Sequence, residues 1–519
     1  MDAIVKRKKI GLKQRYQTMT RDLAWQTSYQ DMDKVFPYDK YEGIVVHDWD
    51  EWEDPFRLTM EAYWKYQGQK EKKLYAVIDA FAQNNGQLGI SDARYVNALK
   101  LFIQGVTPLE YCAHRGFAHV GRHFTGAGAR VAAQMQSIDE LRHYQTETHA
   151  LSHYNKHFNG MHESNYWFDR VWYLSVPKSF FEDAMSGGPF EFLVAISFSF
   201  EYVLTNLLFV PFMSGAAHNG DMSTVTFGFS AQSDESRHMT LGIECIKFLL
   251  EQDPANVPIV QRWIDKWFWR GYRLLTLVAM MQDYMLPKRV MSWKEAWEMY
   301  AESNGGALFK DLARYGIREP KGWKDACEGK DHISHQAWGT FYQYSHVAAM
   351  HTWVPNADEM EWLSEKYPET FDRYYRPRLE YYDQQHKEGE RFYNKTLPML
   401  CQVCQIPMFF TEPNDPTSIC YRESDYRDDK YHFCSDHCKE IFDNEPEKYI
   451  QAWMPVHQIH QGNCFPEGTD PTVDGFDPLA AVLEYYRINV GSDNFDFADS
   501  EDRRNFMEWR GGEEPEVSP

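Results

Sequence analysis

From Ala93 to about Leu286, apolar residues recur at helical spacing in long stripes, broken at Thr107-Pro108, Ser186-Gly187-Gly188-Pro189, Val210-Pro211 and Met285-Leu286-Pro287. Steps of three and four residues line one face of a helix, and proline or paired glycine ends such runs, so the stretch predicts a bundle of long helices. Residues 1–92 mix aromatics and charges without clean periodicity and read as an N-terminal extension that packs on something else. After the bundle at 93–290 come an additional helical region at 291–395, a loop-rich cysteine unit at 396–452 and a tail at 453–519. The tail turns acidic and Gly/Pro-punctuated from about Asp493. No repeat of solenoid length runs through the chain.

Phe190 to Val210 is apolar enough to resemble a membrane span, yet it carries Glu191, Glu201 and Asn206. A charged residue at the centre of a span costs roughly 2.5–3.5 kcal/mol on insertion scales. The segment therefore reads as the buried central helix of a bundle, and its glutamate needs a buried positive partner. Lys+Arg 54 against Asp+Glu 76 leaves a net charge of −22 with no basic stripe, which excludes a nucleic-acid partner. The basic opening Lys6-Arg7-Lys8-Lys9 is not followed by an apolar stretch, so a cytoplasmic protein with no membrane partner is expected.

The chemistry lies in a repeated pentapeptide, Asp139-Glu140-Leu141-Arg142-His143 and Asp234-Glu235-Ser236-Arg237-His238. Glu and His three residues apart project from one helix face, so each copy offers an oxygen and a nitrogen to a common point. One Glu-x-x-His alone is usually surface decoration; two matched copies make a paired site. Ferritin-like di-metal bundles add one Glu from each of two further helices, and Glu110 and Glu201 are the candidates. Four carboxylates and two neutral imidazoles balance two divalent metals and leave positions open, which points to di-iron. By itself, Thr107-Pro108-Leu109-Glu110 also reads as a helix-capping box. Asp139 and Asp234 can pair with Arg142 and Arg237 as ordinary helical acids, or support the metal-bound imidazoles; the second reading is favoured.

Nine cysteines include two hooks, Cys401-Gln402-Val403-Cys404 and Cys434 to Cys438, the usual sign of a tetrahedral structural zinc. Cys420, His432 or His437 can replace one ligand. The stretch from Tyr431-His432-Phe433-Cys434 to Tyr449 resembles small zinc-binding cysteine modules of other proteins.

The two Asp-Glu-x-Arg-His copies, with Glu110 before the first and Glu201 before the second, resemble the hydroxylase large subunits of bacterial multicomponent di-iron monooxygenases, and among these phenol hydroxylase most. The likeness is strong over about 95–290 and weak over the rest. It implies an all-α, ferritin-like di-iron bundle with extra helices and a small C-terminal four-cysteine zinc unit. It implies Glu110, Glu140 and His143 as ligands of one iron and Glu201, Glu235 and His238 as ligands of the other. Thr205 matches an active-site threonine that assists proton delivery; read from the residues alone it is a back-bonded helix threonine. Asn206 and Gln232 match a gated pore, and Val106, Leu109, Ala113, Phe180, Phe200 and Phe209 match the pocket around the metals.

The implied activity is hydroxylation of phenol to catechol with O2 and NADH. No dinucleotide fingerprint is present, so NADH, FAD and an iron–sulfur cluster belong to a separate reductase. Two smaller hydroxylase subunits in a dimer of heterotrimers and a regulatory protein complete the implied partners. Glu147, one turn after His143, departs from the family, where methane enzymes place Cys and toluene enzymes Gln. It also leaves no radical tyrosine of the ribonucleotide reductase kind there. The alternatives are a toluene or benzene monooxygenase and a non-catalytic ferritin-like iron protein; storage chains of that kind are short and need no threonine beside an aromatic pocket.

Overall fold

The computed structural model describes residues 9–23, 28–38, 42–90, 92–158, 161, 164–165, 168, 172–286, 289–344, 354–388, 399–408, 411–412, 415–419, 421–452, 454 and 472–475. Cys420 and the acidic tail from Asp493 lie outside them. Seven helices position the site: α1 (Met60–Gln83), α2 (Ala93–His123), α3 (Ala127–Tyr154), α4 (Ser175–Gly187), α5 (Pro189–His218), α6 (Met222–Gln252) and α7 (Asn256–Leu274). Their starts follow from capping chemistry, since a side-chain oxygen satisfies an amide that the first turn leaves unpaired. Thr59 accepts from the Ala62 amide, Asp92 from Arg94 and Asp221 from Thr224. Asp221 also accepts from the hydroxyls of Tyr95 (2.7 Å) and Tyr154, which ties α2 and α3 to the start of α6. Gly188, with φ +109°, makes the turn between α4 and α5 that a side-chain-bearing residue would strain.

Two of the predicted breaks do not occur. Pro108 and Pro211 sit inside continuous helices. A proline costs about 3 kcal/mol in an isolated helix, but here the flanking Val106, Leu109, Leu208 and Phe212 are all buried, and burial of several such side chains outweighs that cost. Thr107-Pro108-Leu109-Glu110 is therefore no helix start, and Glu110 is free for the bundle interior.

α5 is the central helix. Among the described residues it is the one helix long and apolar enough to cross a membrane, and most of it is buried inside the protein. Its middle, Val194–Leu204, widens into a π-helix. Three helices approach it through glycines: a methyl at Gly116 of α2 would overlap the Phe192 ring, one at Gly242 of α6 would overlap Ser197, and one at Gly271 of α7 would meet Leu204 Cδ1 at 2.8 Å. Glu191 finds the positive partner its burial requires, accepting from Lys266 Nζ at 3.0 Å and from Trp267 Nε1 at 2.9 Å.

The N-terminal stretch read as an extension contributes a helix to the bundle. α1 packs on α3 and α6 with Tyr63, Gln67, Leu74 and Ile78 buried at helical spacing. At the other end, the cysteine unit carries a hairpin, β1 (Arg422–Tyr426) against β2 (Asp429–Phe433), followed by α8 (Asp436–Asn444). It docks on α7 and α4: Trp269 Nε1 donates to Ser435 Oγ at 3.1 Å, Tyr449 OH to Asp183 at 2.8 Å and Lys266 Nζ to Glu445 at 2.6 Å.

Candidate active site and metal centres

Four helices bring the six expected iron ligands together. Glu110 comes from α2, Glu140 and His143 from α3, Glu201 from the π segment of α5, and Glu235 and His238 from α6; all six are buried. Their ligand atoms form two overlapping groups, one with Glu110, Glu140, His143 and Glu235 and one with Glu140, Glu201 and His238. Glu140 belongs to both groups. Glu140 points Oε2 at His143 Nδ1 (3.4 Å) and Oε1 at His238 Nδ1 (3.1 Å). Glu235 does the same, at 3.7 Å and 3.5 Å. Each of these two carboxylates stands between the imidazoles with one oxygen toward each.

The aspartates act crosswise. His143 Nε2 lies 3.1 Å from Asp234 of the second pentapeptide, and His238 Nε2 lies 3.3 Å from Asp139 of the first. A carboxylate on Nε2 fixes that nitrogen as the protonated one and aims Nδ1 inward as a donor atom. α1 supports both aspartates. Gln67 Nε2 donates one hydrogen to Asp139 (2.8 Å) and the other to Asp234 (2.9 Å), Tyr63 OH donates to Asp139 (2.7 Å) and Lys70 pairs with Asp234 (2.6 Å). Arg142 spans Asp139 (2.9 Å) and Asp234 (3.4 Å), and Arg237 pairs with Asp139. Tyr63, Gln67 and Lys70 escaped sequence reasoning, although the 63, 67, 70, 74, 78 stripe carries the helical period.

The electrostatics of the six residues call for cations. Burial drives Glu110 and Glu201 far above the usual carboxylate range, with Glu235 adding its repulsion to Glu201. Burial opposes charge on Glu140 as well, but His238 and His143 hold it low; both imidazoles in turn stay protonated far above their ordinary value against burial, because acids surround them. His238 Nδ1 and Glu201 Oε2 are buried without a hydrogen-bond partner. An orphan nitrogen facing carboxylates without hydrogen-bond geometry is a metal-donor arrangement, and the residues fit a di-metal centre.

Above the carboxylates lies a cavity of about 30 Å3 lined by Val106, Leu109, Ala113, Phe181, Ile196, Phe200, Thr205, Leu208 and Phe209. Five of the six expected pocket residues line it. Phe180 does not: it packs behind, edge-on to Trp267 with centroids 5.5 Å apart, and its neighbour Phe181 takes the place at the wall. Adjacent residues of a helix point about 100° apart, so sequence position alone does not decide between them. Phe181 also lines a larger cavity of about 790 Å3 shared with Tyr111, Cys112, Tyr144 and Lys178. Thr205 Oγ1 donates to the Phe200 carbonyl at 3.0 Å, a five-residue step that the π-helix makes possible. Gln232 Nε2 donates to Asn206 Oδ1 at 3.2 Å, joining the two expected gating residues across α5 and α6. Glu147 is buried, and burial pushes it up to about 7 against the pull of Thr107 and His143.

Cys401, Cys404, Cys434 and Cys438 converge in the C-terminal unit. Cys434 Sγ lies 3.5 Å from Cys404 Sγ and 3.7 Å from Cys438 Sγ. Sulfurs on a tetrahedral zinc with bonds of about 2.3 Å sit about 3.8 Å apart, so the cluster fits that ion. His432 bonds Tyr421 and His437 bonds Asp325 at 2.6 Å, so neither replaces a cysteine. Burial works against the charge of Arg273, and the thiols of Cys434, Cys404 and Cys438 outweigh it, supplying a counter-ion to a thiolate cluster.

The Methane/Phenol/Alkene Hydroxylase family model matches residues 25–253, and the YHS domain model matches 410–453. The oxygenase component of phenol 2-monooxygenase from Pseudomonas sp. (strain CF600) is 63% identical over 513 residues, 99% of this chain and 98% of that protein. The oxygenase component subunit alpha of the alkene monooxygenase system of Xanthobacter autotrophicus is 27% identical over 476 residues, 86% of this chain and 90% of that one. The crystal structure of xenon-pressurized phenol hydroxylase from Pseudomonas sp. OX1 superposes with a TM-score of 0.89 at 66% identity, covering 96% of this chain and 100% of that chain.

Proposed function

The chain belongs to the methane/phenol/alkene hydroxylase family, and we propose that it is the iron-bearing large subunit of a phenol hydroxylase. The reaction is phenol + O2 + NADH + H+ → catechol + NAD+ + H2O. One oxygen atom enters the ring and the other leaves as water. The observation that carries this reading is the four-carboxylate, two-imidazole cluster directly beneath a cavity walled by Phe181, Phe200 and Phe209. The 63% identity over nearly the whole chain to a phenol 2-monooxygenase component favours phenol over toluene or benzene. A storage protein has no use for such a cavity.

In this reading Glu110, Glu140, His143, Glu201, Glu235 and His238 would hold two irons, with Glu140 and Glu235 standing between the two imidazoles. When bound, the irons supply the electrons and Lewis acidity that activate dioxygen. The protein does the rest. Asp139 and Asp234, braced by Arg142, Arg237 and α1, keep each imidazole in one tautomer and orientation. The phenyl rings exclude water from the centre, and because the space between them is only about 30 Å3 they must part to admit an aromatic substrate. Thr205, on the cavity wall with its hydroxyl parked on the Phe200 carbonyl, turns from that acceptor to pass a proton inward. The Gln232–Asn206 hydrogen bond is the latch of the pore, opened when a regulatory protein docks.

NADH, FAD and an iron–sulfur cluster reside in a partner reductase, and two smaller hydroxylase subunits complete a cytoplasmic dimer of heterotrimers. The cysteine unit holds a closed, structural zinc. Assaying the reconstituted complex with phenol, toluene and benzene tests the reading: catechol from phenol as the fastest product is expected. Faster turnover of toluene or benzene would reassign the substrate, and no oxygenation at all with two irons bound would refute the enzyme.

A further inference from the structure

We propose that Asp79, His149 and His153 form a third metal site, which takes one borderline divalent cation such as Zn2+ at the surface between α1 and α3. His149 and His153 lie one turn apart on α3, and Asp79 faces them from α1. Both imidazoles present Nε2 to the same carboxylate oxygen: Asp79 Oδ1 is 2.8 Å from His149 and 3.2 Å from His153. With metal bonds of about 2.0–2.2 Å, neighbouring ligand atoms around a divalent ion sit about 3–3.5 Å apart, so the three donors already stand close to coordination distance.

The rings are arranged for it. The two imidazoles meet nearly at right angles, at 88° with centroids 4.8 Å apart, which lets both aim a lone pair at one point rather than stack. Tyr75, one turn before Asp79, packs edge-on against His149 at 4.8 Å and fixes that ring plane. All three ligands are partly exposed, so an ion can enter from solvent, and three protein ligands leave at least one position for water.

One neighbour competes. Lys156 Nζ lies 3.4 Å from His153 Nδ1. Metal on Nε2 puts the imidazole proton on Nδ1, where a second donor is unwelcome, so the exposed lysine must swing away on binding. The bland alternative is a hydrogen-bonded trio with no ion. It differs from the metal site in what Lys156 does: its ammonium supports the trio and opposes the metal.

An ion here joins α1, which carries Tyr63, Gln67 and Lys70, to α3, which carries Glu140 and His143. It would act as a staple across the two helices that frame the main centre, while sharing no ligand with it. The test uses the full-length chain loaded with iron and zinc, to which Zn2+ alone is added before gel filtration and elemental analysis. Wild type is expected to retain one zinc equivalent more than Asp79→Asn, His149→Gln or His153→Gln, and to gain a few degrees in thermal midpoint that the variants do not. Lys156→Gln, a surface change that leaves the fold alone, is expected to tighten Zn2+ binding several-fold. Equal zinc in wild type and the ligand variants, or Zn2+ affinity unchanged or weakened by Lys156→Gln, overturns the proposal. Neither readout depends on hydroxylase activity.

Discussion

Gly242→Ala should damage the active centre without touching a ligand. The added methyl would lie within the envelope of Ser197 Cβ and Oγ and 3.4 Å from Ser197 Cα. Non-bonded carbons settle at about 3.5–4.0 Å, and Ser197 Cβ is no free side-chain end, so the π segment itself has to move by about 1 Å. Overpacking of this kind costs about 1–3 kcal/mol. For a chain of this size that is a fall of about 1–3 °C in thermal midpoint. Glu201 lies four residues beyond Ser197 and rides on the same segment, so it retreats from Gln136, which donates to it at 2.6 Å, and from the centre. A displacement near 1 Å at a reacting site costs about 10²-fold in rate. The assays are iron content, thermal midpoint and hydroxylation by the reconstituted complex. Ser197→Gly removes the obstacle, so the double variant should be more stable and more active than the two single effects combined. Gly242→Ala with wild-type midpoint and rate, or a double variant no better than additive, would refute the reasoning.

Asp234→Asn should loosen the metal held by His143, on the other pentapeptide, by about 10–100-fold; competitive chelation would reveal it, and loss confined to the His238 side would contradict the crosswise contacts. Cys434→Ser should lose one zinc equivalent by elemental analysis and destabilise residues 401–450 while the iron site stays filled. Thr205→Ser should retain much more single-turnover activity than Thr205→Val at equal iron content, since Ser keeps the hydroxyl and Val only the shape; the reverse order would make Thr205 a packing residue. Burial opposes charge on Asp183, but Lys266, Lys448 and Arg270 hold its pKa below the ordinary 3.8. A depressed folded-state pKa gives stability that is present above the unfolded value and lost as pH falls through the folded one, so Asp183→Asn should flatten the stability profile below about pH 4 in an acid titration followed by circular dichroism.

What the sequence made legible was whatever chemistry repeats or clusters. Two matched Glu-x-x-His steps have few innocent explanations, and four cysteines in two hooks have fewer. Glu201 stood out as a charge in an apolar run. What stayed hidden depends on contacts between distant segments. Glu110 looked like a capping residue because local rules place a helix start at a proline, and only burial of its neighbours overrides them. The supporting helix α1 was missed because its inner stripe is half polar; Tyr63 and Gln67 are buried as partners of Asp139 and Asp234, which no period of hydrophobicity records. Phe180 and Phe181 are chemically identical neighbours, and the difference between them is the phase of one helix. The widening of α5 into a π-helix likewise has no signature in composition, yet it sets the reach of Thr205 to Phe200.

The crosswise aspartates have a consequence for the order in which the protein is made. His143 leaves the ribosome 91 residues before Asp234, the group that aims it. At about 5–20 residues per second, that is an interval of roughly 5–20 s in which the first pentapeptide exists without its partner, its imidazole free to turn and to carry its proton on either nitrogen. In a partial chain the first copy lacks the aspartate that orients its imidazole. The two pentapeptides complete one another only when α6 docks against α3, because each imidazole takes the aspartate that aims it from the other helix.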